Sequence, residues 1–97
     1  MSSATDQKRL TAYFDGRVQG VGFRYTVERL SRSFDVTGFV RNEHDGSVTV
    51  LAEGQHSVLN RFLQAIKTSQ LGQNIKAVTL RWDEPSEEFE YFTVTYR

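Results

Sequence analysis

The chain has no cysteine. A disulfide framework, a thiolate metal centre and a cysteine nucleophile are therefore excluded together. Histidine occurs only as His44 and His56, too few for a histidine-rich metal site. No apolar run approaches the ~18 residues of a membrane span. The opening Met1-Ser2-Ser3-Ala4-Thr5-Asp6-Gln7 lacks the apolar centre of a signal peptide. Neither sign of charge dominates, because twelve Lys and Arg offset twelve Asp and Glu. That balance argues against a chain built mainly to coat DNA or an anionic membrane. Ninety-seven residues make one domain. A chain of this size buries roughly two-thirds of its unfolded surface, enough for one core without staples. These absences make a small soluble cytoplasmic domain the default expectation.

Hydrophobic periodicity gives the order of elements. Residues 1–8 are polar and read as a flexible tail. From Arg9 the pattern alternates, with Leu10, Ala12 and Phe14 on one face of a strand. Gly16, Gly20 and Gly22 interrupt it. Phe23, Val27, Leu30 and Phe34 then form one stripe of a helix ended by Asp35. Val36 to Arg41 and Ser47 to Glu53 read as two strands, joined by turn residues Asn42 to Gly46 and closed by Gly54. Val58, Leu59, Phe62, Leu63 and Ile66 mark a second amphipathic helix. Thr68 to Asn74 reads as a loop. Val78, Leu80 and Trp82 alternate in a fourth strand. Pro85 sits in an acidic turn, and Phe92, Val94 and Tyr96 alternate in a short fifth strand. This order predicts an α+β fold: a ferredoxin-like two-layer sandwich, βαββαβ with an additional short strand, its sheet antiparallel and both helices on one face. Such a fold hosts many functions and names none.

The segment Gly16-Arg17-Val18-Gln19-Gly20-Val21-Gly22 lies between a strand and a helix N-terminus. Backbone N–H groups there lack helical partners, glycine lets the chain approach a ligand closely, and the helix dipole favours an anion. A loop that only turns the chain is the plainer alternative; the spacing is neither a Walker A motif nor GxGxxG. Arg24 bears on the choice. A cation in the first helical turn opposes the dipole, by about 0.3–1 kcal/mol when exposed. It is explained either by an i,i+4 ion pair with Glu28 or by a bound oxyanion gripped by the guanidinium fork.

Gly16-Arg17-Val18-Gln19-Gly20-Val21-Gly22-Phe23-Arg24 resembles the first signature of acylphosphatases, G-x-V-Q-G-V-x-F-R. Gly38-Phe39-Val40-Arg41-Asn42-Glu43-His44-Asp45-Gly46-Ser47-Val48, with Gly54 six residues later, resembles the second. The resemblance implies one acylphosphatase-like domain over residues 9–97, metal-free and monomeric. It implies that the backbone of Gln19, Gly20, Val21, Gly22 and Phe23, with the Arg24 side chain, binds the phosphoryl group, and that Asn42 positions the attacking water. The substrate is then a small acyl phosphate, and inorganic phosphate is product and competitive inhibitor. Asp15 departs from the family pattern; strand alternation turns it away from Leu10, Ala12 and Phe14.

The implied chemistry agrees with the groups present. An acyl phosphate leaves a carboxylate, whose conjugate acid has a pKa near ~4, so no strong general acid is needed. The remaining work is to gather negative charge and aim a nucleophile. An amide at Asn42 can hold a water proton but not remove it, which leaves the substrate phosphate to accept it. Without the resemblance, Asn42 reads as a turn residue and His44 and His56 as surface groups, while Arg17 either adds long-range attraction for anions or is simply solvated. The rival functions are a non-catalytic anion-binding domain and an RNA-binding module of the same strand order. Gly38-Phe39-Val40-Arg41 does not supply the basic-Gly-aromatic run that the latter needs.

Overall fold

A computed structural model describes residues 6–96. The elements are β1 (Gln7–Gly16), α1 (Phe23–Ser31), β2 (Thr37–Asn42), β3 (Val48–Gln55), α2 (His56–Thr68), β4 (Ile75–Asp83) and β5 (Phe92–Thr95). The sheet runs β4-β1-β3-β2-β5. Four strands pair antiparallel as the periodicity predicts. The expectation of a wholly antiparallel sheet is corrected at one edge, where β5 lies parallel to β2, Gly38 opposite Phe92 and Arg41 opposite Thr95. The cause is the connection from β4, which passes across the sheet before β5 begins.

Alternation builds the core. Leu10, Ala12 and Phe14 of β1, Val40 of β2, and Val48, Val50 and Ala52 of β3 are buried on one face. That face packs against Phe23 and Val27 of α1 and Leu59, Phe62, Leu63 and Ile66 of α2. α1 lies over β2 and β5, α2 over β1 and β3. This leaves β4 at an open edge. Leu80 and Trp82 stand opposite Ala12 and Leu10 in register, yet both stay exposed on this edge strand. The His56 ring covers part of Trp82 at 4.7 Å.

Several boundaries differ from the expectation. Gln7 and Lys8 belong to β1, pairing with Gln55 and Gly54, so β3 runs through Gly54 instead of ending there. Residues 1–5 of the expected tail lie outside the described residues. α1 stops three residues before Phe34; the N–H groups of Ser33 and Phe34 donate to Leu30 and Ser31, tightening the last turn. Phe34 still reaches the core beside Phe62, with ring centroids 5.6 Å apart. The expected loop at Thr68 to Asn74 is the end of α2 followed by a 3₁₀ turn over Gln70–Asn74. The Ser69 hydroxyl caps that turn by accepting the Leu71 N–H, and Leu71 is buried.

The segment from Glu84 to Tyr91 is longer than a turn. It is fastened to the sheet by Glu53, whose carboxylate accepts the Ser86 N–H (2.8 Å), the Glu87 N–H (2.9 Å) and the Arg9 guanidinium (2.8 Å). Glu87 takes a left-handed φ of 60° there. Burial pushes the Glu53 carboxyl up, but the Ser86 N–H, Arg9, the Glu87 N–H and the Ser86 hydroxyl together outweigh it and hold it below its ordinary value.

Candidate functional site

The glycine loop joins the end of β1 to α1, and three anchors fix its path. The Arg17 N–H donates to Asn74 O at 3.0 Å. Val18 is fully buried. The Gln19 side-chain amide reaches across to the β2–β3 hairpin, donating to Glu43 O at 2.7 Å and Ser47 O at 2.9 Å. Beyond the loop, Phe23 packs into the core against Phe14, ring centroids 5.2 Å apart.

Between these anchors Gly20 and Gly22 adopt left-handed φ values of 78° and 77°. A β-carbon at either position would meet nothing within 4 Å. The backbone conformation, not a shortage of room, is what calls for glycine. Gly22 is also the N-cap of α1 and offers no capping side chain. Among the described residues, no acceptor meets the N–H groups of Gln19 to Phe23. The start of α1 thus presents uncompensated donors at the positive end of a helix dipole.

Arg24 follows in the first turn. The ion pair with Glu28 does not form, because Glu28 is taken by Arg32 at 2.9 Å, one turn further on. Instead the Arg24 guanidinium carbon lies 4.7 Å from the ring centre of Tyr96. The Tyr96 hydroxyl is hydrogen-bonded to that of Tyr25. This bond, then burial and the neighbouring Tyr25 charge, raises the Tyr96 pKa above its usual value, while Arg24 opposes the rise.

Asn42 ends β2 opposite Val48. It shares the parity of Gly38 and Val40, so its side chain stands on the helix face of the sheet. The hairpin turn does not use it. The Glu43 N–H donates to Ser47 O at 2.8 Å. The Asp45 carboxylate accepts both the Ser47 hydroxyl and the Ser47 N–H, at 2.6 and 2.9 Å. Those two bonds hold the Asp45 carboxyl below its ordinary value. Among the described residues the Asn42 amide has no hydrogen-bond partner.

Arg24 and Asn42 line one depression of about 260 Å³, together with Glu43, His44 and Tyr96. Gln19 to Phe23 lead up to it but are not among its lining residues. Arg17 lies elsewhere, in a larger cleft of about 670 Å³ with Gly16, Gln73, Asn74, Ile75 and Lys76. Asp15 is exposed and pairs with Ala77 on β4, away from the Arg24 depression. Sequence reasoning missed Glu43, His44 and Tyr96 as lining groups. The first two simply follow Asn42 in the chain. Tyr96 arrives through the parallel β2–β5 pairing: Arg41 faces Thr95, so Asn42 and Tyr96 both lie one residue past the last pair. No local signal announces that edge. Among the described residues, no cluster of His, Asp or Glu is placed to hold a metal ion.

Comparison with known proteins points the same way. The acylphosphatase family's sequence profile matches residues 10–94. An acylphosphatase of Salinibacter ruber is 42% identical over 88 residues, covering 91% of this chain and 93% of that protein. One from Bacillus velezensis is 38% identical over 82 residues, 84% of this chain and 91% of its own. The crystal structure of an acylphosphatase from Bacillus subtilis superposes with a TM-score of 0.84 at 32% identity, over 92% of this chain and 99% of that one. With both signatures converging on the depression that holds Arg24 and Asn42, and with a match running almost from end to end, this chain belongs to the acylphosphatase family.

Proposed function

We propose that this acylphosphatase hydrolyses the carboxyl–phosphate bond of acyl phosphates by in-line attack of a water positioned by Asn42. In this reading the phosphoryl group is held by Arg24 and by the backbone N–H groups of Gln19, Gly20, Val21, Gly22 and Phe23. The observation that carries it is the meeting of Arg24 and the unpartnered Asn42 amide in one depression beside the uncapped start of α1.

The groups suit the reaction. As the bond to the leaving carboxylate lengthens, negative charge rests on the three equatorial oxygens of the phosphoryl group. Fixed N–H dipoles and a guanidinium meet that charge without reorganising. The Asn42 carbonyl oxygen accepts a hydrogen bond from the attacking water and sets its lone pair toward phosphorus; as the water attacks, a phosphoryl oxygen takes the proton. The carboxylate departs unprotonated, so no side chain serves as general acid. Inorganic phosphate occupies the same donors as product and competes with substrate. No such role needs nucleic acid or a membrane, and no helix among the described residues is long and apolar enough to cross one. The resemblance to the family is what favours a cytoplasmic monomer. Family membership favours the hydrolase over a non-catalytic anion- or RNA-binding module.

The test is the pair Arg24→Ala and Asn42→Ala, assayed with benzoyl phosphate and with phosphate as inhibitor. Arg24→Ala should lose both turnover and phosphate inhibition. Asn42→Ala should keep the phosphate Ki within about twofold while kcat falls at least a hundredfold, the mark of a contact made only in the transition state. Wild-type turnover by Asn42→Ala would overturn the water-positioning role.

A further inference from the structure

Arg24 is a cation where the helix dipole disfavours one, and no carboxylate among the described residues compensates it. Its one described contact is the face of Tyr96. A guanidinium over a ring is held without a hydrogen bond, so the contact does not consume its N–H donors. The arrangement is therefore compatible with phosphate binding and need not be broken for it. Tyr96 is itself held. Its hydroxyl is bonded to that of Tyr25, the residue next to Arg24 on α1, and the β2–β5 pairing sets the end of its strand beside Asn42. Tyr96 is more than half exposed, at 63%, so core packing does not account for its position.

We propose that the Tyr96 ring is a platform that presents the Arg24 guanidinium to the phosphoryl group, making Tyr96 a positioning residue for substrate affinity. The proposal rests on the assignment of Arg24 as the phosphate-binding side chain. The platform acts before the reaction: it reduces the number of rotamers from which Arg24 must be recruited. Its effect falls on ground state and transition state alike, so it belongs in KM and not in kcat. The size is that of a solvent-accessible cation–π contact.

The experiment compares Tyr96→Leu, Tyr96→Phe and Tyr25→Phe with wild type and Arg24→Ala. The readouts are steady-state kinetics on benzoyl phosphate, the Ki of inorganic phosphate, Tm, and the NMR signal of the Arg24 Nε–H. Tyr96→Leu should raise KM and Ki together by about two- to fivefold, with kcat within twofold. Its Arg24 Nε–H signal should move downfield as the ring current is lost. Tyr96→Phe keeps the ring and should restore KM and Ki to within twofold of wild type. Tyr25→Phe deletes the same hydrogen bond and should match it. An unchanged Ki in Tyr96→Leu, or a Tyr96→Phe as impaired as Tyr96→Leu, would overturn the platform. Should Arg24→Ala bind phosphate as wild type does, the assignment of Arg24 itself fails, a result separable from the first two.

Discussion

Gln19→Ala tests how far the site depends on the tie between the loop and the hairpin. The Gln19 amide donates to Glu43 O and Ser47 O. It thereby fixes the segment carrying the free N–H groups against the segment carrying Asn42. Truncation removes two neutral hydrogen bonds, each worth about 0.5–1.5 kcal/mol net. The acceptors left behind are not stranded: Glu43 O also accepts the Gly46 N–H at 3.2 Å, and Ser47 O accepts the Glu43 N–H at 2.8 Å. No penalty for an orphaned carbonyl is added, so the loss lies in the lower part of the range, about 1–2 kcal/mol for the pair. In a domain of this size that lowers Tm by about 4–16 °C. The loop then samples positions that no longer face Asn42, and kcat/KM should fall by about tenfold or more, each tenfold being about 1.36 kcal/mol of transition-state stabilisation. Gln19→Glu should be worse in both respects, since a carboxylate would face two carbonyl oxygens. The assay is benzoyl phosphate hydrolysis at 25 °C beside a thermal melt. A variant with lowered Tm but wild-type kcat/KM would refute the argument, because it would make the bridge a matter of stability alone.

Two further outcomes follow from the same geometry. Arg24→Lys should behave almost as Arg24→Ala in phosphate inhibition, because an ammonium supplies charge without the planar fork or the stacking face; phosphate Ki within threefold of wild type would contradict this. Glu53 has its pKa lowered in the fold, so its contribution is fully present above the unfolded carboxylate range and is lost as pH falls through the folded value. Tm of the wild type should therefore hold from pH 7 to about 5 and drop below that. Glu53→Gln should be less stable at pH 7, by about 1–3 kcal/mol, and should show a flatter acid limb, as read by melts across pH. Parallel acid limbs would remove Glu53 from the linkage.

Most of the architecture was legible from residue pattern. Alternation along β1 and β3 identified the buried valines and Phe14, because a half-buried strand must repeat with period two. The helical stripe identified Phe23 and Val27. What the pattern could not carry was long-range. The parallel seating of β5 on β2 depends on where the Glu84 to Tyr91 segment is fastened, and that depends on Glu53 meeting backbone N–H groups more than thirty residues away. Leu80 and Trp82 alternate as core residues do, yet both stay exposed on the edge strand β4. At the depression, the two signatures had named Arg24 and Asn42, which line it together, while Gln19 to Phe23, which they also named, are not among its lining residues. The signatures did not give the Gln19 bridge, the contest for Glu28 that Arg32 wins, or Tyr96. The Gln19 bridge and Tyr96 are contacts between segments whose separation no local spacing encodes, whereas Glu28–Arg32 has the same i,i+4 spacing as Arg24–Glu28, and spacing alone does not choose between them. Arg17, though within the loop, lines a different cleft, formed with Gln73 to Lys76.

The most direct measurement is a titration of the 15N-labelled protein with inorganic phosphate, followed by 1H–15N NMR. Saturable shifts are expected in the backbone amides of Gln19 to Phe23 and in the Arg24 Nε–H, with a Kd equal to the phosphate Ki for benzoyl phosphate hydrolysis. Shifts confined to Arg17, Asn74 and Lys76, with the Arg24 signal unmoved, would place the oxyanion in the larger cleft and contradict the assignment of the phosphate site.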